Sequence, residues 1–122
     1  MGTSKSSEPA ISFVGGASVF SGRPDPEFPL EPADAERLLD LWNGMEQLPG
    51  FGTEAPVLGY RGCYLRDTTN RVWFAYGGVV TLATGNASDL RGDTDREFES
   101  TLLSLIPKGA IPPGIIPREL IR

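Results

Sequence analysis

Two arginines, two tyrosines and one aspartate are the side chains of this 122-residue sequence best placed to hold a ligand. Ser21-Gly22-Arg23-Pro24-Asp25-Pro26 sets Arg23 and Asp25 two positions apart between prolines, which cut backbone entropy and hold both charges in place, as a binding loop requires. The same residues also make a stiff connection in which Arg23 pairs with Asp25 or with a carboxylate of the next helix. Because prolines are common wherever a chain must turn, this plainer role is favoured. Gly59-Tyr60-Arg61-Gly62-Cys63-Tyr64 surrounds Arg61 with Tyr60, Tyr64 and small glycines, so that a planar or anionic group can approach a sheet. Its plainer role is packing, since strand tyrosines are most often half-buried. Convergence of Arg23 with Arg61 would make an anion clamp with Asp25, Tyr60 and Tyr64 as polar partners.

What is missing narrows the chemistry. There is no histidine, so Ser-His-Asp and Cys-His pairs and a histidine general base are impossible within the chain. Cys63 is the single cysteine, which rules out an internal disulfide, and a zinc or copper site would need carboxylates and that one thiol. With no histidine to activate it, Cys63 reads as a small buried hydrophobe in a strand. No phosphate-binding glycine loop, paired cysteine ligands or nucleophile elbow occurs. Asp25, Glu27, Glu31, Asp34 and Glu36 lack the spacing and central glycine of a calcium loop and read as a solvated helix start. No cofactor and no metal are expected, and the balance leans away from an enzyme without deciding it.

Formal net charge is -5, which repels nucleic acid and anionic lipid at long range, so neither is an expected partner. The charge is unevenly placed: residues 25–56 hold eight acids against Arg37 alone, whereas 57–85 hold Arg61, Arg66 and Arg71 against Asp67. No stretch has the roughly 18 apolar residues of a membrane span and no secretory pattern opens the sequence, so a cytoplasmic location is expected. Met1-Gly2-Thr3-Ser4-Lys5-Ser6 matches the short N-myristoylation pattern, which leaves lipidation of Gly2 open. Arg91-Gly92-Asp93 spells an adhesion tripeptide but stands where a turn and a helix cap belong, and Asn86-Ala87-Ser88 is a glycosylation sequon only in a secreted chain.

These residues must be positioned by a small α+β domain, with 39% hydrophobic and 22% charged residues making one core feasible at this length. Residues 1–10 form a polar lead-in, 11–106 the domain and 107–122 an extended Pro-rich tail. Residues 11–20 read as a strand interrupted by Gly15-Gly16, followed by a proline-rich connection. Ala35, Leu38, Leu39, Trp42 and Met45 mark one face of a helix over 32–48, with Pro32 in its first turn and Pro49-Gly50 as its stop. A central hairpin spans 57–66 and 72–82, with Tyr60, Gly62 and Tyr64 on one face and Arg61, Cys63 and Leu65 on the other. It belongs to a small antiparallel sheet of about 3–5 strands. Gly77-Gly78 marks a bulge, a bend or a close approach, and its likeness to Gly15-Gly16 suggests neighbouring strands bent at one level.

After a loop over 84–92, a second helix spans 94–105, with Thr94 and Glu97 at capping-box spacing and Phe98, Leu102 and Leu105 as its apolar face. Isoleucines at 106, 111, 116 and 121, three of them before proline, either pack on the chain's own core or enter a partner, including a homodimer formed through the tail. The resulting expectation is a small acidic, non-enzymatic binding module that engages a protein partner, of the inhibitor, immunity or accessory-subunit type. Its rival is a small-molecule or anion binder, or a small enzyme, using the Arg23/Arg61 clamp. A third reading is a structural subunit assembled through the tail.

Overall fold

Short runs of β-branched and aromatic residues, each closed by a turn, give this chain more sheet than its hydropathy pattern announces. The computed structural model describes residues 11–19, 24–49, 60–111 and 114–120. In chain order these residues form β1 (Phe13–Ala17), β2 (Glu27–Pro29), α1 (Pro32–Asn43), β3 (Glu46–Leu48), β4 (Cys63–Asp67), β5 (Val72–Tyr76), β6 (Val79–Thr84), β7 (Ala87–Gly92) and α2 (Glu97–Ser104). The seven strands make one antiparallel sheet in the order β2-β1-β4-β5-β6-β7-β3, wider than the expected three to five strands. The chain is α+β with two α-helices among the described residues.

The extra strands come from segments whose turn signals are easily read as something else. Gly77 and Gly78, with φ of 65° and 91°, are the two-residue turn between β5 and β6, so the segment 72–82 is a hairpin and not one strand. Gly85-Asn86 turns β6 into β7, which replaces the loop expected over 84–92. The helix expected to reach residue 48 ends at Asn43, where Gly44 caps it with its N–H on the Asp40, Leu41 and Trp42 carbonyls. Glu46–Leu48 then pairs with β7 as an edge strand. β1 and β5 are separated by β4 and are not the neighbours that their Gly-Gly pairs suggested.

β1 runs unbroken through Gly15-Gly16 because ring-bearing side chains on both faces need those two positions empty. A Cβ on Gly15 would lie 2.8 Å from Phe28 Cζ and 3.1 Å from a Leu102 methyl, and one on Gly16 would strike the Tyr64 ring. The Tyr64 hydroxyl crosses β1 to donate to Glu27 Oε2 at 2.6 Å, and Arg66 Nη2 donates to Glu27 Oε1 at 2.7 Å. The glycine pair is thus a saddle over which Phe28 and Tyr64 clamp the edge strand β2.

Both helices lie on one side of the sheet. The row Phe28, Gly15, Leu65, Trp73, Leu82 and the row Ala17, Cys63, Ala75, Val80 run across strands and meet Leu38 and Trp42 of α1 and Phe98, Leu102 and Leu103 of α2. The first helix begins with Pro32, and the Glu31 carbonyl accepts the Asp34 and Ala35 N–H groups; Ala35, Leu38 and Trp42 form the buried stripe the sequence announced. Its last turn carries no basic residue. Arg91, projecting from β7, supplies one: its Nη1 donates to the Trp42 carbonyl at 3.0 Å and its guanidinium lies 4.2 Å over the Trp42 ring. The adhesion-like tripeptide is therefore structural, its arginine packed on α1. Ile106, Ile111, Ile115 and Ile116 are half-buried against the core and Leu120 is buried; Ile121 lies outside the described residues.

The β4–β5 turn is organised by one carboxylate. Asp67 Oδ1 accepts the Thr69 N–H, the Thr69 hydroxyl and the Arg71 N–H at 2.8–3.0 Å, and Oδ2 accepts Arg71 Nε at 2.7 Å. Burial alone would raise its pKa, but these bonds outweigh it and hold the carboxyl below its ordinary value. A lowered folded-state pKa contributes stability that is present above the ordinary aspartate range and lost as pH falls through the folded value. Asp67→Asn is expected to lower stability at neutral pH by about 2 kcal/mol and to flatten the acid side of the stability profile. Urea titrations at a series of pH values check both.

Alanine at Gly62 tests a different constraint. Gly62 has φ of 118°, and its Cβ would lie 2.8 Å from the Ala75 carbonyl oxygen. Gly62→Ala is expected to lose about 3 kcal/mol and Gly15→Ala about 2 kcal/mol in the same titration at neutral pH.

Candidate functional site

The start of α2 is an unusual sequence for a helix entry, Asp93-Thr94-Asp95-Arg96, and its backbone is unusual too. Asp95 and Arg96 are consecutive non-glycine residues with φ of 56° and 53°, each costing about 1 kcal/mol. Residues Thr94–Arg96 form a 3-10 turn, so the expected capping box of Thr94 with Glu97 is absent. Asp93 does the capping instead: its Oδ1 accepts the Phe98 N–H at 2.8 Å and its Oδ2 the Glu99 N–H at 3.1 Å. Burial pushes the Asp93 pKa up, against the lowering effect of those two amides, and the neighbouring Glu99 and Glu97 add to the rise.

The left-handed turn brings Arg96 back over its own helix to meet a carboxylate that has no access to water. Glu99 is 0% exposed, and Arg96 grips it with two parallel bonds, Nε to Oε1 and Nη2 to Oε2, both 2.9 Å. The Tyr60 hydroxyl donates to Glu99 Oε2 from the other side. The Tyr76 ring lies 6.1 Å from the Tyr60 ring, with the Arg96 guanidinium 5.9 Å over it. Cys63 Sγ approaches the Glu99 carbonyl at 3.7 Å. Burial above all, with Cys63 and Glu99 nearby, pushes the Tyr60 phenol far above its ordinary pKa, and burial with Glu99 does the same to the Cys63 thiol. Phenol and thiol are both held protonated and the carboxylate is fully bonded, so this cluster has no nucleophile and no poised base. It is a polar lock between α2 and the sheet.

Among the described residues two open grooves flank α1, and Glu99 lines neither. Beside its first half lies an apolar groove of about 660 Å³ walled by Ile11, Phe13, Leu30, Ala33 and Leu39, with Glu36 as its ionisable side chain. Beside its second half, where α1 meets β3 and the start of α2, lies a groove of about 420 Å³ lined by Asp40, Leu41, Met45, Glu46, Asp93 and Glu97. Asp40, Glu46 and Glu97 are exposed and form no ion pair among the described residues.

Of the residues singled out from sequence, Asp25, Tyr60, Arg61 and Tyr64 line neither groove. Tyr60 is buried and committed to Glu99, while Tyr64 lies on the opposite sheet face and donates to Glu27, its own pKa raised first by burial and then by that bond. The two tyrosines therefore do not share a face, because the positive φ of Gly62 breaks the strand alternation between them. Arg61 is half-buried, its N–H on the Ser18 carbonyl, and Asp25 is half-buried just before β2; Arg23 lies outside the described residues. Sequence reasoning placed Asp93 at a helix cap, which is its role here, but missed Arg96 and Glu99. The signal was present: Glu99 stands three and four positions before Leu102 and Leu103, on the helix side that must be buried, with Arg96 three positions earlier.

No protein-family model matches the chain, and neither a curated protein nor a solved structure matches it.

Removal of Arg96 leaves the Glu99 carboxylate buried with the Tyr60 hydroxyl alone. Arg96→Ala is expected to lose about 3 kcal/mol in urea unfolding and to speed the reaction of Cys63 with Ellman's reagent in the absence of denaturant, whereas the wild-type thiol stays protected.

Proposed function

We propose that the chain is a non-enzymatic binding module for a protein partner that presents basic side chains, the general role filled by inhibitors, immunity proteins and accessory subunits. The observation that carries this reading is the groove at the end of α1. Asp40, Glu46 and Glu97 stand exposed around Leu41 and Met45, and the ion pairs of Arg66, Arg71, Arg91 and Arg96 use Glu27, Asp67, Asp89 and Glu99 instead. Exposed carboxylates around an apolar floor suit a lysine or arginine whose methylene stem packs while its charge pairs at the rim. The groove sits on a helix anchored through Trp42 to Arg91 and beside the locked start of α2, so little ordering is required on binding.

The acid-rich stretch 25–56 supports the same surface, since α1 and β3 both come from it. Cys63 and Tyr60 held protonated and inward favour binding over catalysis. Tyr60 spends its hydroxyl on Glu99, which weakens the case for an Arg23/Arg61 anion clamp that would need it.

Paired affinity capture from native lysate tests the reading, with full-length wild type and Asp40→Lys/Glu46→Lys/Glu97→Lys as baits. A basic protein is expected on the wild-type bait, released near 0.5 M salt as the charges are screened, and at least tenfold depleted on the reversed bait. Equal recovery on both baits, or no protein on the wild type, overturns it.

A further inference from the structure

The apolar groove at the other end of α1 is left unexplained by charge. Its walls are Ile11, Phe13, Leu30, Ala33 and Leu39, drawn from the start of β1, the segment after β2 and the first turns of the helix. Ile11 is 52% exposed, the one large hydrophobic side chain so exposed among the described residues, and it stands at this groove's edge. At about 660 Å³ the space exceeds a single aliphatic side chain and falls within the range of pockets that anchor a ligand. Among the described residues no basic side chain lines it, and Arg37 stands exposed beside Glu36 on the helix outside the trough. Its charge is Glu36, with Asp40 one turn further along the same helix.

From this pairing of an apolar trough with acids on one side we infer that the groove is the apolar anchor site for a segment of the basic partner, a segment carrying leucine-, isoleucine- or phenylalanine-sized side chains within one turn of an arginine or lysine. The inference rests on the reading of α1 as a partner-binding ridge and deepens it: the two grooves are successive stations along one helix, the first gripping apolar side chains and the second their cationic neighbours. Charge complementarity selects the occupant. An acidic segment would set its carboxylates against Glu36 and Asp40, and an apolar segment without a cation would leave those acids unpaired at the rim of a dehydrated contact. Buried apolar anchors inside a polar rim are also the arrangement in which a few residues supply most of an interface's affinity.

The experiment is selection of a random dodecapeptide phage library on immobilised full-length protein, with binding of each enriched peptide then measured against variants. Ala33→Trp fills the trough from an exposed helix position, Ala33→Ser is its folded control, and Glu36→Lys reverses the rim; thermal melts establish that each variant folds. Expected is a consensus of two apolar residues beside arginine or lysine, bound at least tenfold more weakly by Ala33→Trp and by Glu36→Lys and unchanged by Ala33→Ser. Peptides that ignore Ala33→Trp but are lost with Asp40→Lys/Glu46→Lys/Glu97→Lys overturn the anchor site and leave the acidic groove standing. Peptides that ignore the triple reversal but are lost with Ala33→Trp and Glu36→Lys keep the anchor and overturn the acidic reading. An acidic or uncharged consensus, no enrichment at all, or light scattering that shows a wild-type dimer split by Ala33→Trp, overturns the inference.

Discussion

A carboxylate with no access to water has to be neutralised within the fold, and much of this molecule is arranged around that requirement at Glu99. Two donors from different parts of the chain meet it, the Arg96 guanidinium from the preceding turn and the Tyr60 hydroxyl from the approach to β4. Arg96 can reach back only from a left-handed backbone, and the strain of Asp95 and Arg96 is held in place by the ion pair and by Asp93 capping the two amides that follow. Tyr60 can reach in only because Gly62 takes a conformation closed to other residues, which in turn lets the Arg61 N–H and Gly62 carbonyl extend the pairing beyond β1 to Ser18. Breaking such a buried pair costs far more than a surface pair, since the remaining charge cannot return to water.

The second helix, once locked, sets the seat of the first. Phe98, Leu102 and Leu103 form a floor against which Leu38 and Trp42 pack, and Arg91 from the sheet closes the helix's carbonyl end. Because α1 is buried on one stripe only, its remaining surface stands as a ridge with a trough on either flank. Of the acids that crowd residues 25–56, Asp34, Glu36 and Asp40 fall on α1 and Glu46 on the adjoining β3, away from Arg66 of β4 and Arg71 just before β5, whereas Glu27 of β2 pairs with Arg66. Those arginines are spent on structure: Arg66 on Glu27, and Arg71 on Asp67 and the Trp73 ring. The separation of charge seen along the sequence thus becomes a separation between a surface free to meet basic groups and a sheet whose cations are already engaged.

Glycine has two different jobs here. Gly77, Gly78 and Gly85 turn hairpins through positive φ, a local matter. Gly15 and Gly16 are ordinary strand residues whose missing side chains make room for Phe28 and Tyr64 arriving from neighbouring strands. Nothing local distinguishes the two uses, which is why Gly15-Gly16 reads as an interruption and Gly77-Gly78 as a bulge.

By itself the sequence determined what depends on near neighbours: the amphipathic stripe of α1, the β4–β5 hairpin, the α+β class, and the exclusion of histidine chemistry and of an internal disulfide. Those follow from periodicity, turn residues and composition, whose causes lie within a few positions of each other. Only the tertiary structure decided the width of the sheet, the inward turn of Tyr60, the partnership of Arg96 with Glu99, and the two grooves beside α1. Each joins residues distant in the chain or turns on a backbone angle, and a buried carboxylate looks like a solvated one until the layer that covers it is in place.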